Sequence, residues 1–216
     1  MEDRPLPQPF QPQPTDLLVV VDVQTDFLPG GALAVPHGDA VIPVVNRLAT
    51  RFAHVICTQD WHPPGHASFA STHPGRTAFD TIALPYGPQV LWPDHCVQGT
   101  PGAALAEGLE LPGAELVIRK GFHASIDSYS AFAEADGSTT GLAAYARARG
   151  FTRIVLCGLA TDYCVGWSAL DARREGFAVA LVEDGCRGID LGGSLVTAWA
   201  AMDAAGVTRL VSEDLD

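Results

Sequence analysis

Residues 17–21 read LLVVV, five apolar residues with no polar residue alternating between them. A strand with one wet face alternates, whereas a continuous β-favouring run needs cover on both faces, as inside a parallel sheet. The rest of the chain must supply that cover. Five further short stretches, 54–58, 115–119, 153–157, 178–182 and 208–211, read as strands. Between them, 39–52, 138–149, about 163–175 and 192–205 read as helices, with Gly150 and Gly176 as terminators. Alternation with short joins predicts an α/β domain of three layers, αβα. Its six-stranded parallel sheet carries helices on both faces and right-handed crossovers. A chain of 216 residues suits one such domain, expected over 16–216.

Ahead of that domain, residues 1–15 (MEDRPLPQPFQPQPT) hold prolines at 5, 7, 9, 12 and 14 and read as an extended leader. A loose tail is the plain expectation, and a strap across a neighbouring subunit the alternative. The formal net charge of -12 argues against nucleic acid or an anionic membrane as partner, because phosphates would be repelled. Five cysteines form an odd set without short disulfide spacing, no basic N-terminal region precedes an apolar run, and no apolar stretch approaches membrane length. A cytoplasmic location is therefore expected.

Ligands of an open parallel sheet collect beyond the carboxyl ends of its strands. Asp22, Asp60 and Lys120 each lie just past or at the end of an expected strand. Cys164 lies in IVLCGLATDYCVGW (154–167), where Gly158 is expected to break the strand, Thr161 and Asp162 offer cap side chains, and a helix begins nearby. At such a helix mouth the backbone N–H groups favour a thiolate and offer donors to an oxyanion. Each residue alone has an ordinary use: a buried Cys packs, Asp22 caps a turn, Lys120 meets solvent, Asp60 bonds a loop. Together, carboxylate, ammonium and thiol are the parts of a nucleophilic amidase. In it Asp22 would take the thiol proton while Lys120 lowers the thiol pKa.

The segment 61–113 is longer than a structural connection needs and is rich in aromatics and histidine. Its pattern Asp60-x-His62-x3-His66, with His95 following, offers oxygen and nitrogen donors suited to Zn, Fe or Mn as a divalent ion; the same histidines also suit ordinary loop packing. His37, His54, His73 and His123 receive packing or surface roles.

The phrases VDVQTDF (21–27), TQDWHPPGHASF (58–69), WPDHCVQGTPGA (92–103), KGFHASIDSYSAF (120–132) and GLATDYCV (158–165) closely resemble the bacterial nicotinamidase (pyrazinamidase) branch of the isochorismatase-like hydrolases. The likeness runs from about residue 17 to the end, in the expected order. It implies a catalytic triad of Asp22, Lys120 and Cys164, with one divalent metal ion held by Asp60, His62, His66 and His95. It also implies a cis peptide between Leu159 and Ala160, an oxyanion hole from the N–H groups of Ala160 and Cys164, and a substrate ring sandwiched by Phe27 and Trp92 beside Tyr129. Tyr163 matches a position the family varies and receives no role. The implied activity is hydrolysis of nicotinamide to nicotinate and ammonia through a thioester, within NAD salvage. Pyrazinamide is expected as a further substrate, and homo-oligomers as a family habit. An N-carbamoylsarcosine amidase or vinyl-ether hydrolase would lack the metal motif, and a non-catalytic pyridine-binding scaffold would have an eroded triad.

Overall fold

The computed structural model describes residues 10–215. Strand β1 (Asp16–Val21) leads through helix α1 (Val41–Ala49) to β2 (Val55–Asp60), and the long connection that follows contains a hairpin, β3 (Thr81–Leu84) and β4 (Gly87–Val90). Then come β5 (Ala114–Lys120), α2 (Leu142–Ala148), β6 (Arg153–Leu159), α3 (Gly166–Arg174), β7 (Ala178–Arg187), α4 (Ser194–Ala204) and β8 (Thr208–Leu210). Six strands form one sheet in the order β5-β2-β1-β6-β7-β8, every pair parallel. All of β1 is buried, as its unbroken apolar run requires.

From β1 the chain steps toward β2 and β5, whereas from β6 it steps the opposite way to β7 and β8. Right-handed crossovers then put α1 on one face and α2, α3 and α4 on the other. Accordingly α1 packs on β6 and β7, and α3 packs on β7 and α4. The reversal falls between β1 and β6, and it leaves a crevice beyond their carboxyl ends.

Several boundaries differ from the sequence expectations for local reasons. The helix expected from 138 starts only at Leu142, because Thr139 and Thr140 bond backbone N–H groups through their hydroxyls and Gly141 turns at φ 91. Gly158 does not break β6. It sits inside the strand at φ 118, where an added Cβ would lie 2.1 Å from Val21 O, so its role is close approach of two backbones. Strand β7 runs on to Arg187 instead of stopping at 182, and α4 begins at Ser194 because Gly192 and Gly193 hold left-handed φ values of 59 and 85. The hairpin β3–β4 was not expected.

Residues 1–9 of the Pro-rich leader lie outside the described residues. Its last part packs on its own chain: Phe10 N–H donates to Asp214 O at 2.9 Å, and the Arg153 guanidinium lies 4.0 Å over the Phe10 ring. Among the described residues, no helix is long and apolar enough to cross a membrane.

Candidate active site

Asp22 follows β1, while Asp60 and Lys120 close β2 and β5 and are partners in register. Because β2 lies between β1 and β5, three charged side chains meet over its end. Lys120, fully buried, holds Nζ 2.8 Å from Asp22 Oδ2 and donates to Asp60 Oδ1, to Ser128 O at 3.2 Å and to Cys164 Sγ at 3.3 Å. Asp22 turns at φ 46, accepts from the Thr58 hydroxyl at 2.5 Å and donates its own N–H back to it at 3.1 Å. Thr58 precedes Asp60 by two and so shares its strand face. It opens the phrase TQDWHPPGHASF (58–69) but received no role of its own, since threonine is an ordinary strand residue.

Cys164 reaches this cluster from across the crevice. After β6 the peptide from Leu159 to Ala160 is cis, and Thr161–Val165 winds as one wide turn in which Val165 N–H donates to Ala160 O at 3.1 Å. The thiol therefore precedes α3 instead of opening it. Thr161 and Asp162 do not cap that helix. Asp162 instead accepts from Ile189 N–H at 2.9 Å, Asp190 N–H at 2.7 Å and the Ser194 hydroxyl at 2.5 Å, tying the 189–194 loop to the turn that carries Cys164.

The electrostatics correct one expectation. Burial pushes the Cys164 thiol well above its ordinary pKa; Lys120 pulls it down, but Asp22 and Asp60 push it up again. Burial and the two carboxylates thus outweigh Lys120, against the expectation that this turn favours a thiolate. Burial also raises Asp22, with Lys120 opposing and Asp60 reinforcing. At Asp60, burial pushes upward, yet the Lys120 ammonium and His62 more than reverse it and leave this carboxyl well below the usual range. Burial works against the Lys120 charge too, but Asp22 and Asp60 hold its pKa well above normal. Oxygens of both carboxylates lie within 4.8 Å of the sulfur. A raised carboxylate pKa beside a thiol is the combination in which a proton moves between them at low cost. The other four cysteines are free and buried, and burial takes Cys57 to about 11 and Cys186 to about 12.

Next to Asp60 stand the histidines. His62 Nε2 and His95 Nε2 lie 3.6 and 3.8 Å from Asp60 Oδ2, and their Nδ1 atoms face Gly121 O at 2.9 Å and Pro93 O at 2.8 Å. A carbonyl at Nδ1 favours the tautomer whose Nε2 lone pair is free for a cation. Two imidazoles and a carboxylate so arranged fit a divalent metal ion. His66 stands slightly apart: its nitrogens face Ser68 Oγ at 2.7 Å and Ile126 O at 3.1 Å, and it groups with His62 and Asp127. His54 and His73 make ordinary bonds, to Glu115 at 2.5 Å and Ala67 O at 2.8 Å.

Between the histidines and Cys164 lies a narrow recess. Phe27, Trp92 and Tyr129 line it, together with Ala160. Trp92 Nε1 donates to the Tyr129 hydroxyl at 3.0 Å, and Tyr163 stands edge-on to Trp92 with centroids 4.8 Å apart. Leu33, Asp127, Tyr163 and Ile189 also line it and were not assigned from sequence. Asp127 and Tyr163 do sit inside quoted motifs, whereas Leu33 and Ile189 come from distant loops that carry no signal.

A parallel α/β sheet with thiol, carboxylate and ammonium at its switch point defines a hydrolase class, and the chain belongs to the isochorismatase family, whose domain model matches residues 16–214. Within that family it is similar to the nicotinamidase of Acinetobacter baylyi, 55% identical over 199 residues that cover 92% of this chain and 93% of that protein. Among solved structures, PnC1 from L. infantum in complex with nicotinate superimposes with a TM-score of 0.84 at 40% identity, covering 96% of this chain and 98% of the other. The pyrazinamidase of Pyrococcus horikoshii in complex with zinc gives 0.76 at 37% identity, covering 91% and 99%.

Proposed function

We infer that this enzyme is a nicotinamidase, hydrolysing nicotinamide to nicotinate and ammonia, and that Asp22, Lys120 and Cys164 carry the chemistry. The observation that supports this most directly is the Lys120 ammonium standing 2.8 Å from Asp22 Oδ2 and 3.3 Å from Cys164 Sγ at one end of an aromatic recess. Asp22 takes the thiol proton as sulfur attacks the carboxamide carbon, and Lys120 keeps the paired carboxylates from repelling the developing charge. The N–H groups of Ala160 and Cys164 hold the oxyanion, a donor of this kind contributing about 3 kcal/mol. Asp22 then returns the proton to the departing ammonia and activates the water that cleaves the thioester. Phe27, Trp92 and Tyr129 orient the flat ring.

Asp60, His62, His66 and His95 would hold one divalent ion, of Zn, Fe or Mn. When bound, it supplies a Lewis-acid contact for a pyridine nitrogen and so fixes the ring. Pyrazinamide, which offers the same ring nitrogen and carboxamide, is expected to be hydrolysed too. Five unpaired thiols support a reducing, cytoplasmic setting.

The test is ammonia release from nicotinamide by the purified protein, with metal content measured before and after dialysis against chelator. Turnover is expected, falling with the metal and returning on its addition. No ammonia from metal-loaded protein would sink the reading.

A further inference from the structure

Asp127 and Tyr129 line the substrate recess and also a second cleft, which Ser128, Glu134, Trp167 and Asp171 help to form. The acids of this cleft are unequally answered. Asp171 pairs with Arg174 at 2.6 Å. Asp127 accepts from Gln89 Nε2 at 2.6 Å and from Ser128 N–H at 2.9 Å, and its carboxylate also faces His62 and His66. Glu134 is 5% exposed; its Oε2 accepts from Gly121 N–H at 3.3 Å, while its Oε1 is buried with no hydrogen-bond partner. A buried carboxylate oxygen without a donor is unfavourable until a donor or cation meets it. Trp167, 46% exposed and 6.1 Å from the Tyr129 ring, adds an aromatic wall of the kind that attracts cations.

We propose that this cleft binds a small ammonium-type cation against Glu134 and the aromatic wall. That the natural occupant is the ammonium released by the enzyme rests on the amidase reading above. Ser128 joins the two places, since its carbonyl accepts the Lys120 ammonium at 3.2 Å and the residue borders the cleft. While the thioester stands, the acyl ring fills the narrow recess, leaving little room for ammonia to leave as water enters. Ammonia that leaves as NH3 takes a further proton from solvent on reaching the cleft, and the Glu134 carboxylate favours the resulting cation, which has no lone pair with which to attack the thioester again.

Crystals of metal-loaded enzyme soaked in rubidium chloride, an electron-dense stand-in for ammonium, test the site by anomalous scattering. A peak in the cleft beside Glu134 is expected, and its loss in Glu134→Gln. In solution, ammonium chloride compared with sodium chloride at equal ionic strength should inhibit turnover, with inhibition roughly tenfold weaker in Glu134→Gln and reduced in Trp167→Ala. Trp167→Ala, at an exposed position, keeps the test decisive if Glu134→Gln fails to fold. Absence of rubidium from the cleft, or an unchanged peak in Glu134→Gln, overturns the site. A peak with ammonium inhibition unaltered in both variants overturns the link to product. Failure of the amidase reading would show separately, as wild-type enzyme that releases no ammonia.

Discussion

Strand β1 is flanked by a buried aspartate at each end, and the two ends answer that charge differently. Asp16, at the start, is matched one to one: Arg153 Nε donates to Oδ1 at 2.9 Å, its terminal nitrogen pairs with Oδ2, and Phe10 covers the guanidinium. Asp22, after the last residue, shares one lysine with Asp60 while the Cys164 thiol stands alongside. Equal burial and the same residue type thus produce two different things. Matched charge holds the sheet and the leader together, whereas a surplus of carboxylate over cation leaves a proton with somewhere to go.

The comparison is tested most severely at the reactive end. Cys164→Ala should lower ammonia release by about 10⁴-fold or more with the unfolding midpoint and metal content kept; retained turnover would remove sulfur from the mechanism. Lys120→Met leaves two buried carboxylates facing each other without their cation, and should cost about 3–5 kcal/mol in denaturant unfolding as well as abolishing activity. At the other end, Arg153→Ala should cost about 2–3 kcal/mol by leaving Asp16 unmatched, while kcat and KM stay within about twofold. An equal loss of turnover in Arg153→Ala and Lys120→Met would erase the distinction between the ends. The smallest effect belongs to Phe10→Ala, about 0.5–1 kcal/mol by chemical denaturation, with activity unchanged.

Much of the architecture was readable in advance because it is local. The apolar runs around Leu18, Ile56, Leu156 and Leu181 located four central strands, and strand ends located Asp22, Asp60 and Lys120. Boundaries slipped where a glycine or hydroxyl acted through geometry, as at Gly158, Thr140 and Gly193. The site was legible in kind, but the state of its thiol was not: a helix mouth and a lysine suggest thiolate, and only the burial of Cys164 beside two carboxylates reverses that sign. Asp162 looked like a cap, yet its partners lie 27, 28 and 32 residues away.

The amino-acid sequence by itself determined which groups stand at strand ends and which strands need cover on both faces, because strand geometry and burial of an apolar run follow from neighbours in the chain. The tertiary structure alone decided that Thr58, 36 residues from Asp22, Asp60, 60 from Lys120, and Lys120, 44 from Cys164, come within bonding distance. Strand order and the reversal between β1 and β6 made those meetings, and such long-range pairing leaves no periodic trace in any local stretch. The same holds for the second cleft, whose walls 86–89, 127–137 and 167–174 come together only once the sheet and α3 have packed.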